Sequence, residues 1–317
     1  MASDSDDSLL ICTACGTQFD TDDRTSLARC RICDDPRQFV PPSGQTFTTL
    51  GELKYSGNYY NKTARDPENN LIISIWTEPK FAIGQRAFLI QTERGNILWD
   101  LIAYLDQDTI DMIDILGGLK AIIISHPHYY TTYAVWARTF NCPVYIATAD
   151  YSWLCRHDDT ISLREIHSPT FQPLQGYSGL VAIRVGGHFP GSMVLHYKPG
   201  AVLFIADSIV TVPSALYHVD RLPGTATYSF MWSIPNMIPL PPSKIMKIIK
   251  RLEGYQYKST FGAFNGLDVR TSAESGSVMK RMVESAKIAV GAMLEWDKDE
   301  LDTKWEELWS LENTERI

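Results

Sequence analysis

Four side chains able to bind a metal each stand at the C-terminal end of an apolar run. His126 and His128 follow LKAIIIS (Leu119–Ser125), His188 follows LVAIRV (Leu180–Val185) and two glycines, and Asp207 closes AVLFIAD (Ala201–Asp207). Runs this short and this apolar read as buried strands, and layered α/β proteins place ligands beyond the carboxyl ends of strands. Any one of the four alone is a hydrogen-bonded loop histidine or a turn carboxylate. Together they demand a fold that carries distant strand ends to one edge. Residues two apart in extended backbone point to the same side, so His126 and His128 are expected to reach one ion from an extended segment.

The rest of the pattern is mixed. Strand-like runs at Asn70–Trp76, Gln85–Thr92 and Asn96–Ile102 precede a helical stretch at Thr109–Leu116. Another helix is expected through TTYAVWARTF, then strands at Pro143–Thr148 and Met193–Tyr197. Helix, strand and helix follow at Lys244–Leu252, Tyr257–Gly262 and Ser275–Leu294, with an acidic tail bearing tryptophans. Strands alternating with helices predict layered α/β architecture. At 44% hydrophobic and 21% charged, the 317 residues can bury a core without staples. The net charge of −8 argues against nucleic acid or an anionic membrane surface as partner, since both are bound through clustered Lys and Arg. No run approaches the roughly 18 apolar residues of a membrane span, and the start MASDSDDSLL is acidic where a leader would be basic. A cytoplasmic protein acting on a small molecule is expected, with monomer or homodimer left open.

Cys12, Cys15, Cys30 and Cys33 form C-x2-C-x14-C-x2-C. Two residues between thiols let one tight turn present both sulfurs to an ion, and a second turn completes a tetrahedron, the pattern of a structural four-thiolate zinc site. Gly16 suits the left-handed bend that the first turn needs. Residues 1–45 hold eight acidic and four basic residues, the wrong sign for a nucleic-acid clamp. They are read as a zinc-ribbon knot (rubredoxin-like) packed on a main domain of residues 46–317, with Pro41–Gly44 leaving it.

The series of Asp100 in ILWD, SHPHYY, GGHFPGS and LFIAD, in that order, resembles the metallo-β-lactamase fold superfamily over about residues 70–270. The resemblance implies an αββα sandwich with a metal site along one edge and a hydrolytic reaction. It implies His126, His128 and His188 as ligands of the first metal, Asp207 as the carboxylate that usually bridges two metals, and Asp100 as a support behind them. Gly191 and Ser192 match the turn after the third histidine. Where the family motif HxHxDH continues with Asp and His, this chain has Tyr130 and Thr131, and Phe264-Asn265-Gly266 stands where the last family histidine belongs. The ligands of a second metal are thus replaced, and a single-metal site is expected.

Such a site suits zinc with a bound water of pKa about 7, able to cleave a small ester, lactone, thioester or amide. Asp207 is then a general base or a fourth ligand. Tyr130 is either an oxyanion donor or a packed aromatic. Fe2+ on the same ligands, as in persulfide dioxygenases of this superfamily, is a second reading, and a non-catalytic metal-binding descendant a third. The aromatic, Pro-rich segment Tyr217–Pro242 is read as a pocket wall or lid over the metal, or as an irregular core-packing or subunit-contact segment, with His218 not a ligand. His157, His167 and His196 are expected to be structural or superficial.

Overall fold

The computed structural model describes residues 4–216, 222 and 224–314. His218, and the part of Tyr217–Pro242 at 217–221 and 223, lie outside the described residues. Two sheets stack face to face. The first has seven strands in chain order: Tyr60–Arg65, Ile72–Glu78, Arg86–Ile90, Ile97–Trp99, Ala121–Ile123, Val144–Ala147 and Leu163–Ile166. Its first four pair antiparallel and the remainder parallel. Parallel neighbours need a crossover, supplied by helices Gln107–Ile115 and Tyr133–Phe140.

The second sheet orders Thr170–Phe171, Leu180–Arg184, Met193–Tyr197, Val202–Phe204, Ser259–Phe261 and Asp268–Arg270. Its one parallel pair, Val202–Phe204 with Ser259–Phe261, is bridged by a connection that includes helix Pro242–Leu252.

Both faces of the central strands are buried, which is why they read as continuous apolar runs. Phe88 and Ile90 face the second sheet, whereas Ala87 and Leu89 join the core under helix Tyr133–Phe140. On the other sheet Val202 and Phe204 point inward and Leu203 packs outward against helices Pro242–Leu252 and Val278–Met293. Phe88 meets Phe204 and Phe261 at ring-centre distances of 4.7 and 5.8 Å. The layers are therefore helix, sheet, sheet, helix, the αββα sandwich that the sequence predicts. Among the described residues no helix is long and apolar enough to cross a membrane.

The N-terminal segment is pinned to this sandwich. Leu10–Cys12 pairs antiparallel with Phe47–Thr49, and Ile11 enters the core under the first sheet. Gly16 has φ +81°, as the first cysteine turn requires, and a Cβ there would meet Ala103 Cβ at 2.8 Å. Buried Asp6 accepts from Arg138 and, at 2.5 Å, from Arg156, whose ion pairs extend to Asp158. Helix Leu50–Ser56, capped by the Thr49 hydroxyl, and the largely exposed strand Tyr60–Arg65 follow. Neither element was expected from periodicity, the strand because YNKTAR lacks an apolar face.

If the Phe88 contact joins the two sheets, Phe88→Ala costs about 3–5 kcal/mol of stability in urea denaturation. A loss below about 1 kcal/mol would mean that the sheets do not depend on packing there.

Candidate metal centre

Among the described residues two groups of metal-ligating side chains converge: Cys12, Cys15, Cys30 and Cys33, and His126, His128, His188 and Asp207. Every member of both is buried. In the first group Cys12 lies 3.6 Å from Cys33 and Cys15 3.6 Å from Cys30, sulfur to sulfur. A disulfide would need about 2.05 Å, whereas four thiolates around one ion at ~2.3 Å lie about 3.8 Å apart. The spacing fits a tetrahedral cation site.

The second group forms where the strand ends meet. Asp100 follows strand Ile97–Trp99 and accepts the backbone N–H of Ser125 at 2.7 Å, fixing the exit of the neighbouring strand just before His126. Complete burial pushes the Asp100 carboxyl up to about 7. The Met193 N–H donates to the Ser125 carbonyl at 3.0 Å, tying the second sheet to the same point.

The backbone here differs from the extended segment expected. Strand Ala121–Ile123 stops early, and Pro127–Tyr129 forms a 3-10 turn with Pro at its first position. Proline fixes φ near the helical value and suits the first turn of a helix. His126 and His128 consequently reach the site with different nitrogens, His126 through Nε2 and His128 through Nδ1.

A hydrogen bond sets the tautomer of His188. His188 Nδ1 lies 2.8 Å from the Trp232 carbonyl, which only accepts, so the proton sits on Nδ1 and Nε2 carries a lone pair. That lone pair faces His128 Nδ1 at 3.1 Å. His126 Nδ1 is 2.8 Å from Ser125 Oγ, and its Nε2 stands 3.3 Å from Asp207 Oδ2 with no hydrogen-bond partner. Donors about 3.3 Å apart are what a cation with ~2.0 Å bonds to nitrogen and oxygen requires. Burial pushes His128 down to about 4 and His188 well below the usual histidine range, so both rings are neutral at pH 7. At Asp207 burial works against the charge, and the His126 imidazole beside it outweighs that, holding the carboxyl well below the usual range.

The other residues singled out by sequence are placed as follows. The Tyr130 hydroxyl donates to the Asp150 carbonyl at 3.1 Å, so in this structure it is engaged with the backbone. Its neighbour Tyr129 donates to Asp207 Oδ1 at 2.7 Å, and its ring sits 4.5 Å from that of His126. In a 3-10 turn residues three apart eclipse, so Pro127 was the signal that Tyr129 and His126 share a side. Gly191 and Ser192 form the turn after His188; the Ser192 hydroxyl accepts the Phe189 N–H at 2.8 Å. Asp150, not singled out by sequence, accepts the Gly191 N–H at 2.8 Å, and a Cβ at Gly191 would lie 2.6 Å from Asp150 Oδ2. Its position just past strand Val144–Ala147 repeats the strand-end pattern of Asp207 and could have revealed it. His196 is structural, with Nε2 donating to the Gln256 carbonyl.

A cavity of about 430 Å³ opens over His128, His188 and Asp207. Phe264 and Asn265, at the position of the missing family histidine, line it, as do Ile234 and Pro235 from the aromatic segment.

No family model matches the chain. The protein is 40% identical over 269 residues to the uncharacterized protein YmaE of Bacillus subtilis strain 168, covering 84% of this chain and 92% of that one. Among solved structures it is similar to TMB-1, with 13% identity, TM-score 0.51 and coverage of 74% of this chain and 98% of that one. It is also similar to the metallo-β-lactamase FIM-1 of Pseudomonas aeruginosa in its mono-zinc form, with 11% identity, TM-score 0.51 and coverage of 73% and 96%. The chain belongs to the family of YmaE, and its fold is that of the metallo-β-lactamases.

Proposed function

We propose that this protein is a metal-dependent hydrolase using one zinc ion at His126, His128 and His188, with Asp207 as the general base beside it, on a small ester, lactone, thioester or amide. The observation that carries this reading is the convergence of three buried imidazoles and a carboxylate within reach of one ion, with His128, His188 and Asp207 lining a cavity. A dication held by such donors supplies a Lewis acid and a water of pKa near 7.

The chain's own residues do the rest. The Trp232 carbonyl and the Ser125 hydroxyl orient the outer nitrogens of His188 and His126, the outer-shell arrangement that fixes ring and tautomer around metals. With a metal bound, Asp207 Oδ2 would accept the proton of the attacking water and return it to the leaving oxygen, sulfur or nitrogen as the acyl bond breaks. Tyr129 holds the other carboxylate oxygen, keeping Oδ2 aimed at His126 and away from a second cation. Tyr130 packs and anchors the turn. The apolar side chains of Phe264, Ile234 and Pro235 give the substrate a dry wall.

The single-ion reading is supported by the side chains at the second-metal positions. Tyr130 is committed to a backbone carbonyl, Thr131 offers only a hydroxyl, and Phe264 and Asn265 replace the last imidazole. The four-cysteine group is read as a closed structural zinc site, because four thiolates leave no position for a reactant.

Protein purified without added metal is expected to contain two zinc ions per chain. His188→Ala should lose one of them, together with all hydrolysis of an ester, lactone, thioester and amide panel. Hydrolysis that survives His188→Ala, or iron with oxygen-consuming turnover in place of zinc, would overturn the reading. Tyr129→Phe removes one hydroxyl from behind Asp207 and should weaken metal affinity or activity roughly 10–100-fold, measured by chelator competition and initial rates. An unchanged affinity and rate would show that Asp207 needs no such support.

A further inference from the structure

The four-cysteine segment does more than fold on itself: the residues directly after it form a wall of the cavity. Arg37, Gln38 and Phe39 line the same cavity as His128, His188 and Asp207. Cys33 lies in the short helix Arg31–Asp34, which Cys30 precedes. The chain then turns at Asp35, whose carboxylate accepts Arg37 Nε at 2.6 Å and a terminal nitrogen at 2.9 Å. The remaining terminal nitrogen donates to the backbone carbonyl of His188 at 3.3 Å.

The guanidinium is only 11% exposed. It stands 3.8 Å from the ring centre of Phe189, 4.9 Å from Trp153 and 5.7 Å from Trp232. Trp232 is the residue whose carbonyl fixes the tautomer of His188. Asn236, four residues on, donates to the carbonyls of Pro36 and Gln38 and clamps the segment from the far side. Arg31 lies over the opposite flank, 5.2 Å from the Trp153 ring centre.

We propose that Arg37 is a positioning residue for His188, and that the metal at the four cysteines holds it in place, so that filling the cysteine site tightens metal binding at the histidine site. This inference rests on the single-metal reading above. The physical route is short. Two cysteines two residues apart are fixed when they share an ion. That fixes the Arg31–Asp34 turn and hence the Asp35–Arg37 fork. The guanidinium then holds the His188–Phe189 backbone by one hydrogen bond and one ring face. Coupling of this kind is reciprocal between the sites and runs typically 5–150-fold in affinity.

The test uses the full chain with cobalt(II), whose thiolate charge-transfer bands report the cysteine site and whose visible bands report the histidine site. Arg37→Ala should leave the thiolate bands intact and raise the histidine-site Kd about tenfold, with partial recovery on adding guanidinium ion and none in Arg37→Lys, which lacks the fork. Cys33→Ser should weaken the histidine site by a similar factor, and adding Arg37→Ala to it should weaken that site no further. Should Cys33→Ser fail to fold, the wild-type histidine-site Kd is read with the cysteine site empty and then filled with zinc, and an equal Kd in the two states overturns the coupling. An unchanged histidine-site Kd in Arg37→Ala overturns the coupling while leaving the functional reading intact. A wild-type chain that binds cobalt only through thiolates overturns both.

Discussion

Two imidazole nitrogens face each other at 3.1 Å inside the protein, and one of them has no proton to give. His188 spends its single N–H on the Trp232 carbonyl, so Nε2 can only accept. Opposed lone pairs repel at this distance, and burial denies them water, so a proton or a cation has to lie between them. A proton would serve His128 and His188 alone, leaving His126 Nε2 without a hydrogen-bond partner beside the Asp207 carboxylate. A cation serves all four donors at once. Much of the surrounding structure holds that arrangement: Asp100 on Ser125, Asp150 on Gly191, Tyr129 on Asp207 and Arg37 on His188.

The fold was legible because its strands are buried on both faces and end in polar residues that need a reason to be there. LKAIIIS and AVLFIAD announce themselves by composition, and the ligands at their ends by contrast. The boundaries were less legible. Strand Val202–Phe204 ends three residues before Asp207, because Ala206 adopts φ +46° and turns the chain into the site. Of the antiparallel pair Ile209–Thr211 and Tyr228–Ser233, the first strand was not assigned and the second lies in the segment read as a pocket wall or irregular packing. Its pattern is broken by the long connection between the two strands, so neither periodicity spans enough residues to declare itself.

At the site, the converging side chains were legible and the groups that support them were not. Histidine and aspartate stand out in an apolar context, whereas a backbone carbonyl such as that of Trp232 leaves no trace in sequence. The choice between two adjacent tyrosines turned on one dihedral fact. Extended backbone would set Tyr130 beside His126 and His128, but the proline between them starts a 3-10 turn and brings round Tyr129 instead. Arg37 was visible only as one charge among many in an acidic segment. Its importance comes from tertiary placement between an aromatic ring and a carbonyl, which spacing along the chain does not encode.

The same tyrosine explains why replacing the second-metal ligands need not open a hole in the site. Bridging two cations through both oxygens would need Oδ1, which here accepts the Tyr129 hydroxyl at 2.7 Å. Burial and the neighbouring Asp207 charge push that phenol well above its usual range, so it remains a donor throughout the neutral pH range. A neutral hydroxyl thereby occupies one lone pair of Asp207 that a second dication would need, at far less electrostatic cost than burying another charge in this closed environment. Tyr130, at the position of the family aspartate, fills its space with a ring and satisfies its hydroxyl on the Asp150 carbonyl. Two adjacent tyrosines, turned in different directions by Pro127, put packed and hydrogen-bonded volume beside Asp207, in keeping with the proposed single ion.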